Sequence, residues 1–500
     1  MASQRKIGAL LGYINIIVKN LVNLLYTPML LSFVGQADYG VYQTANSFVF
    51  SLTLLTFGFS EAYVRFYTLR KVEGTEGDIR VLNGMYLLLY AVICSVVLVL
   101  GLVFSANVDR FFSGSFTPDQ VGLAGDLMAV MACNVALTLF STVFDAYIVA
   151  HEQFKFQQTR QMLTSLVTPC AAFALLNMGM GAVGVALAQL FVTLLLLILN
   201  VRFACLRLGM RFALSGFDAS LFRSIAAFSA WIFANQVCEL VNQSVPNMVL
   251  GAVAGALAVS VFAVSIQVRQ VFYSLSTTMA SVFTPLINRI VAESDDNEVL
   301  TKLMTRVGRY QAILYLWVLG GFALLGRFFI IKWAGQDFEE AYWLILAMVT
   351  PLFIPLVQNT GVEIQRAKNK HRARSLCYLC AAGLNLSVTF ALAPVMGYWA
   401  PVIGYTAYVL LGTGVFMNWY YAHGIGLNMA YFWGRVFPVV GIALIAVAVC
   451  AMGEVLFPVL GWGMFVMWGI VYSLLYAFLI WSMILSANER ATIKSKLRRD

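Results

Sequence analysis

The chain is poor in charge. Only 11% of its 500 residues are Asp, Glu, Lys or Arg, while 61% are hydrophobic and the mean hydropathy is +0.82. A water-soluble fold of this size needs far more charge to cover its surface. That shortage excludes a soluble globular protein and leaves an all-α polytopic membrane protein. Long polar stretches are also missing. The longest connectors, 205–219 and 289–308, are too short for a soluble domain. A membrane glycosyltransferase or polymerase would carry an acidic, aromatic-rich extramembrane loop, and none is present. Histidine is scarce: His151, His371 and His423 lie in predicted loops and form no cluster, so no metal site is indicated. The eight cysteines all lie within or at the edge of apolar segments, where Cys is a small packing residue. Cys377 and Cys380 form a C-x-x-C pair, but no His or acid neighbours it, so packing is the better reading than redox or metal chemistry. The start, MASQRKIGALLGYINII, lacks a small-residue cleavage site and reads as an uncleaved first span.

What is present is a series of apolar runs. A span needs about 20 apolar residues, and fourteen segments qualify: 7–33, 41–68, 81–105, 119–149, 159–177, 182–204, 220–249, 257–288, 309–331, 339–364, 375–394, 400–421, 432–453 and 460–486. Lys and Arg set the orientation. With the N-terminus in the cytoplasm, all but five of the 32 cations fall on the inner side. Arg110, Arg327 and Lys332 lie outside, and Lys19 and Arg269 remain within spans. Both termini are therefore expected in the cytoplasm. The net charge of +9 is a topology signal distributed loop by loop, which removes nucleic acid as a partner. The basic tail at 487–500 is suited to anionic lipid.

An internal repeat is visible. LVN at 21–23 recurs at 240–242, each followed by a proline, Pro28 and Pro246. Met178-Gly179 recurs as Met396-Gly397, and Gly184 as Gly404. The basic stretch AHEQFKFQQTR (150–160) has a positional counterpart in QRAKNKHRARS (365–375). Spans 1–6 thus align with spans 7–12. Six is even, so the copies share an orientation, the parallel-repeat case of transporters with a central cleft. The expected organisation is an N-terminal lobe at 1–204, a cytoplasmic linker at 205–219, a C-terminal lobe at 220–421, two extra helices at 432–486 and the tail. Spans 1 and 7 should be equivalent, proline-interrupted elements lining the cleft.

Three stretches carry a family resemblance: PMLLSFVGQADYGVYQTANSF (28–48) after span 1, AHEQFKFQQTR after span 4, and GMGAVGVALAQL (179–190) entering span 6. They resemble the Wzx-type polysaccharide flippases of the multidrug/oligosaccharidyl-lipid/polysaccharide exporter superfamily. Asp38-Tyr39-Gly40-Val41-Tyr42 is the most distinctive piece. The resemblance implies translocation of an undecaprenyl-pyrophosphate-linked oligosaccharide across the bacterial inner membrane, for O-antigen, capsule or exopolysaccharide, with other polysaccharide-assembly membrane proteins as partners. No bond is made or broken, so the expectation is not an enzyme, and no cofactor is implied beyond H⁺ or Na⁺ coupling. The similar lipid II flippases use a cationic central cavity.

Charges inside the membrane are functional suspects, since each costs about 2.5–3.5 kcal/mol on insertion scales. Lys19 lies near the middle of span 1, with Asn23 one turn later. Arg269 lies mid-span 8 beside Gln270. These cations suit the substrate's pyrophosphate. Arg65, an i,i+4 neighbour of Glu61, either pairs with it structurally at the interface or, as the family resemblance implies, guides the headgroup at the inner gate, and Glu61 is a candidate for ion coupling or gating. Asn242 belongs to the second LVN copy. Glu239 in span 7 either pairs with Lys19 or binds H⁺ or Na⁺. Asp145 and Glu363, near inner helix ends, are expected in gating or interface solvation. The alternatives to a flippase are a cation-coupled multidrug exporter of the MATE type, which would want acids in its cleft, and a polysaccharide polymerase or ligase.

Overall fold

Apolar segments in a lipid setting must satisfy their own backbone groups, and the helix does so within one segment. The computed structural model describes residues 2–216, 219–281, 283–370 and 372–491. It is 89% helix, with no strand among the described residues. His371, part of the 205–219 linker and the end of the basic tail lie outside those residues.

The chain forms two compact units: Met1–Ala263 with Thr389–Ala400, and Val264–Val388 with Pro401–Asp500. The first contains α1 (Ala2–Val34), α2 (Gln36–Ser51), α3 (Phe59–Glu73), α4 (Glu76–Ala106), α5 (Val108–Phe112), α6 (Pro118–Ala150), α7 (Phe154–Asn177), α8 (Gly181–Arg202), α9 (Ala219–Gln243) and α10 (Val245–Val253). Helix α11 (Ala256–Ser281) begins in the first unit and continues in the second. The second unit then holds α12 (Thr284–Glu293), α13 (Asn297–Trp333), α14 (Glu340–Val357), α15 (Asn359–Ala367), most of α16 (Arg372–Met396), α17 (Trp399–Ala407), α18 (Asn418–Tyr420), α19 (Met429–Leu456) and α20 (Trp462–Leu479). The units divide the chain elsewhere than the lobes expected from the repeat: α9 and α10 pack inside the first unit.

Helices cover most of each of the fourteen expected spans, and among the described residues eleven helices meet the length and hydropathy needed to cross a membrane. The expected fifth span, α7, falls short. Among the described residues of α1, Val18–Val34 counts as a shorter apolar helix. Helix α7 opens on FKFQQTRQ, and the seventh span is broken into α9 and α10.

Local chemistry sets the helix ends. Thr75 and Asp78 close a capping box at α4, and Thr117 and Gln120 do so at α6, where Pro118 takes the first turn. Within α14, Pro351 removes the donor that would serve the carbonyl of Ala347. The Thr406 hydroxyl of α17 donates to that carbonyl instead, at 3.3 Å. The connector after α8 is strapped to α4: Ala213 N–H donates to Arg80 O at 2.9 Å, and Asn83 donates to Arg211 O at 2.9 Å.

The distinctive Asp38–Tyr42 motif now has a packing reason. Tyr39, Val41 and Tyr42 are buried on α2. A Cβ on Gly40 would stand 1.9 Å from the carbonyl oxygen of Ala256. Only glycine allows α2 to approach the start of α11 this closely.

Candidate functional site

The site is built from two interruptions in the first unit. The first is in span 2. Helix α2 ends at Ser51, a 3₁₀ turn covers Leu52–Thr56, and Phe57 and Gly58 both take left-handed conformations, at φ 48° and 71°. A non-glycine residue there costs about 1–2 kcal/mol and signals a constrained backbone. Hydroxyls absorb the carbonyls that the break frees. Ser51 donates to Phe48 O at 2.6 Å, Thr53 to Phe50 O at 2.7 Å and Thr56 to Thr53 O at 2.8 Å. Helix α3 then starts afresh, with Glu61 in its first turn. The second interruption is in span 7, where α9 gives way to α10 at Ser244, and Pro246 follows at the start of α10. Broken helices at membrane depth are tolerated where they line a cavity rather than face lipid.

A cavity of about 300 Å³ lies at both breaks. Glu61 and Ser60 of α3 line one side, with Thr53 and Thr56 of the 3₁₀ turn. Gln236, Glu239 and Gln243 of α9 line another, and Tyr90 of α4 and Thr142 of α6 complete the polar wall. Residues 236, 239, 240 and 243 share one helical face. Both carboxylates are exposed to the cavity side, and neither has an ion-pair partner among the described residues. Two residues of this wall carry a buried polar atom with no hydrogen-bond partner among the described residues: Tyr90, only 1% exposed, at its hydroxyl, and Gln236 at its side-chain oxygen.

Just beyond the cavity on α3, Arg65 lies one turn from Glu61. It is exposed, and its guanidinium stands over the Phe228 ring of α9 at 4.6 Å, a cation–π contact. The Glu61–Arg65 pair is therefore not formed. The aromatic face takes the cation, and the carboxylate turns to the cavity. Lys19 is exposed on α1 and makes no ion pair among the described residues, so the Lys19–Glu239 pair is not formed either. Asn23 is exposed one turn on, and its carbonyl accepts from Thr27 at 3.2 Å. Helix α1 runs unbroken through Pro28, unlike its sequence counterpart at Pro246. The two LVN copies are thus structurally unequal. Asn242 folds back on its own helix and donates to Cys238 O at 2.9 Å.

In the second unit, Arg269 of α11 is only 4% exposed. Its guanidinium stacks on Tyr405 of α17 at 4.2 Å and reaches Met348 Sδ of α14 at 3.9 Å. It joins three helices rather than standing open. Gln270, next to it, is exposed. Asp145 of α6 is paired: Arg160 of α7 forms an ion pair with it at 2.8 Å and donates to Asn200 of α8, and Asn200 donates to Ser141 at 2.9 Å. This is a structural clamp. Glu363 of α15 is likewise engaged, with Arg366 at 2.9 Å and Thr284 at 3.2 Å. No cluster of three or more metal-ligating side chains exists among the described residues.

Residues 29–343 match a family model described as polysaccharide biosynthesis protein. The chain belongs to this polysaccharide biosynthesis family. The resemblance carried by the Asp38–Tyr42 motif points to the same place. A curated relative, the membrane protein EpsK of Bacillus subtilis strain 168, is 22% identical over 492 residues, covering 95% of this chain and 94% of that protein. Two solved structures share the fold. One is a lipid II flippase, MurJ, in an inward closed conformation: TM-score 0.73, 12% identity, 94% of this chain and 97% of that chain covered. The other is an inward-facing multidrug resistance transporter of the MATE family in the MOP superfamily: TM-score 0.65, 14% identity, 80% and 93% covered. This family member is a multi-pass membrane protein on that scaffold.

The cavity itself escaped sequence reasoning in part. Glu61 and Glu239 were separate suspects 178 residues apart, and nothing in their local patterns brings them together. Tyr90 and Gln236 carried no signal, because tyrosine in an apolar run reads as packing. One clue was available: T-x-x-T-F-G-F-S at 53–60, a polar, glycine-bearing interruption of span 2.

Proposed function

We propose that this chain flips an oligosaccharide linked to undecaprenyl pyrophosphate across the bacterial inner membrane, for surface polysaccharide assembly. The carrying observation is that a member of the polysaccharide biosynthesis family has the fold of a lipid II flippase over 94% of its length. In this reading the fourteen spans form two parallel six-helix lobes around a cleft, with two extra helices and both termini in the cytoplasm. The polar head occupies the cleft while the polyprenyl tail stays in lipid, and no bond changes. Lys19 and Arg65, open cations on helices of the first unit, support it by suiting a pyrophosphate. Asn23, Asn242 and Gln270 are the polar neighbours assigned to the same path. Arg269, stacked between helices, contributes positive potential from within the second unit. Deletion of the gene tests the reading. Lipid-linked repeat units should accumulate on the cytoplasmic leaflet; unchanged lipid intermediates with altered resistance to cationic drugs would overturn it.

That overturning outcome is the second reading, a cation-coupled multidrug exporter. The observation in its favour is that two carboxylates, Glu61 and Glu239, line one cavity with no ion-pair partner among the described residues.

A further inference from the structure

The cavity at the two breaks is too large and too varied for a bare ion. At roughly 30 Å³ per water, its 300 Å³ holds about ten waters, the room of a sugar ring with its hydroxyls. Its wall offers two carboxylates and an amide oxygen as acceptors, with a phenol that can donate. A pyranose presents the complement, adjacent hydroxyls that both donate and accept. Two wall residues each carry a buried polar atom without a partner among the described residues. These are the Tyr90 hydroxyl and the Gln236 oxygen, and native proteins keep such a state for a reason.

The charge layout agrees. Glu61 and Arg65 are four residues apart on α3, about 6 Å of helix rise. In a sugar pyrophosphate the anion sits next to the first ring. A cation one turn from an acceptor-rich cavity matches that order. We infer that this cavity is the saccharide subsite, and that Glu61, Glu239, Gln236 and Tyr90 read the first sugar. The two carboxylates lack ion-pair partners among the described residues, and no Lys or Arg is among the residues lining the cavity. The subsite favours a neutral or amino-bearing pyranose and rejects a uronic acid. This inference rests on the flippase reading and adds the sugar class to it.

The test uses the full chain in lipid nanodiscs and calorimetric binding of four probes: citronellyl pyrophosphate bare, and carrying glucose, glucosamine or glucuronic acid. Glucose and glucosamine should tighten binding about tenfold over the bare probe, the worth of one or two added hydrogen bonds. Glucuronic acid should not. In the Glu61→Gln, Glu239→Gln double variant the gap between glucose and glucuronic acid should close. Tyr90→Phe, a loss of one oxygen, should weaken the glucose probe several-fold and leave the bare one unchanged; it decides the matter if the double variant does not assemble. Equal binding of bare and sugar-bearing probes by the wild type overturns the subsite and leaves the flippase standing. A sugar preference that survives both variants unchanged also overturns it. So does Na⁺ or proton binding lost in the double variant with the sugar increment intact, since that marks a cation site only. Failure of the wild type to bind any of the four probes overturns the flippase reading itself.

Discussion

Replacing Gly40 by alanine sets two rules against each other. Gly40 lies inside α2, and by helix propensity alone Gly40→Ala should stabilise by about 1 kcal/mol. Sterics oppose this. The added Cβ would meet Ala256 O at 1.9 Å, its carbonyl carbon at 2.6 Å and its Cα at 3.1 Å. Ordinary contact lies near 3.5 Å, so α2 and the start of α11 must separate by about 1.5 Å. All three obstructing atoms are backbone, so no side chain can rotate away. The neighbouring contacts move with them. Thr44, one turn on, packs against Gly251, and Asn247 of α10 donates to Ser47 at 3.0 Å in the same seam. Overpacking of this kind costs about 1–3 kcal/mol, which exceeds the propensity gain. Thermal unfolding in lipid nanodiscs should show Gly40→Ala melting below wild type. Gly122→Ala is the control, since nothing lies within 4 Å of its Cβ position on α6; it should melt at or above wild type. If the two variants behave alike, close backbone approach is not why glycine occupies the motif.

Asp145→Ala should destabilise the first unit by about 3 kcal/mol, because it strands the largely buried guanidinium of Arg160; a double variant that also removes Arg160 should recover part of that loss in the same unfolding assay. Arg269→Lys keeps the charge but loses the planar stack on Tyr405, and should lower the melting temperature while membrane insertion is unaffected; an unchanged melt would show the stack carries no stability. His151, just past the end of α6, gives a pH dependence. Its Nδ1 lies 2.9 Å from Tyr147 O, a group that can only accept, so Nδ1 carries the proton and Nε2 accepts from Tyr67 Oη at 3.0 Å. Burial lowers its pKa, Lys71 adds to the effect, and the Tyr147 carbonyl partly opposes it. The folded state thus prefers neutral His151. Its stabilising contribution is present above the ordinary histidine pKa of about 6.5 and is lost as pH falls through the folded value. Melting curves at pH 8 and pH 5 should differ less for His151→Phe than for wild type.

The division between sequence and structure follows the range of the interactions. Helix placement was legible because it depends on local runs of apolar residues, prolines and caps. Even there, polar residues opened α7, which falls short of the membrane-crossing threshold, and a break divided α9 from α10. The Asp38–Tyr42 motif marked the family, but the reason for its glycine is a backbone 216 residues away, at Ala256. Two ion pairs that the sequence left open are not formed among the described residues. Spacing placed Glu61 within reach of Arg65, but spacing cannot see that Phe228 from another helix offers its ring face to the cation. Depth suggested Lys19 for Glu239, but depth says nothing of which way each helix turns.

By itself, then, the sequence determined that this chain lives in a membrane as a helical bundle, where its charges are few and which family it joins, because each depends on composition or on short motifs. Only the tertiary structure decided which charges stand open and which are clamped. It stacked Arg269 on Tyr405, locked Asp145 to Arg160, and brought Glu61 and Glu239 to one cavity with the buried hydroxyl of Tyr90. Those pairings depend on how helices rotate and approach. That is set by packing among residues far apart in the chain, which no local pattern encodes.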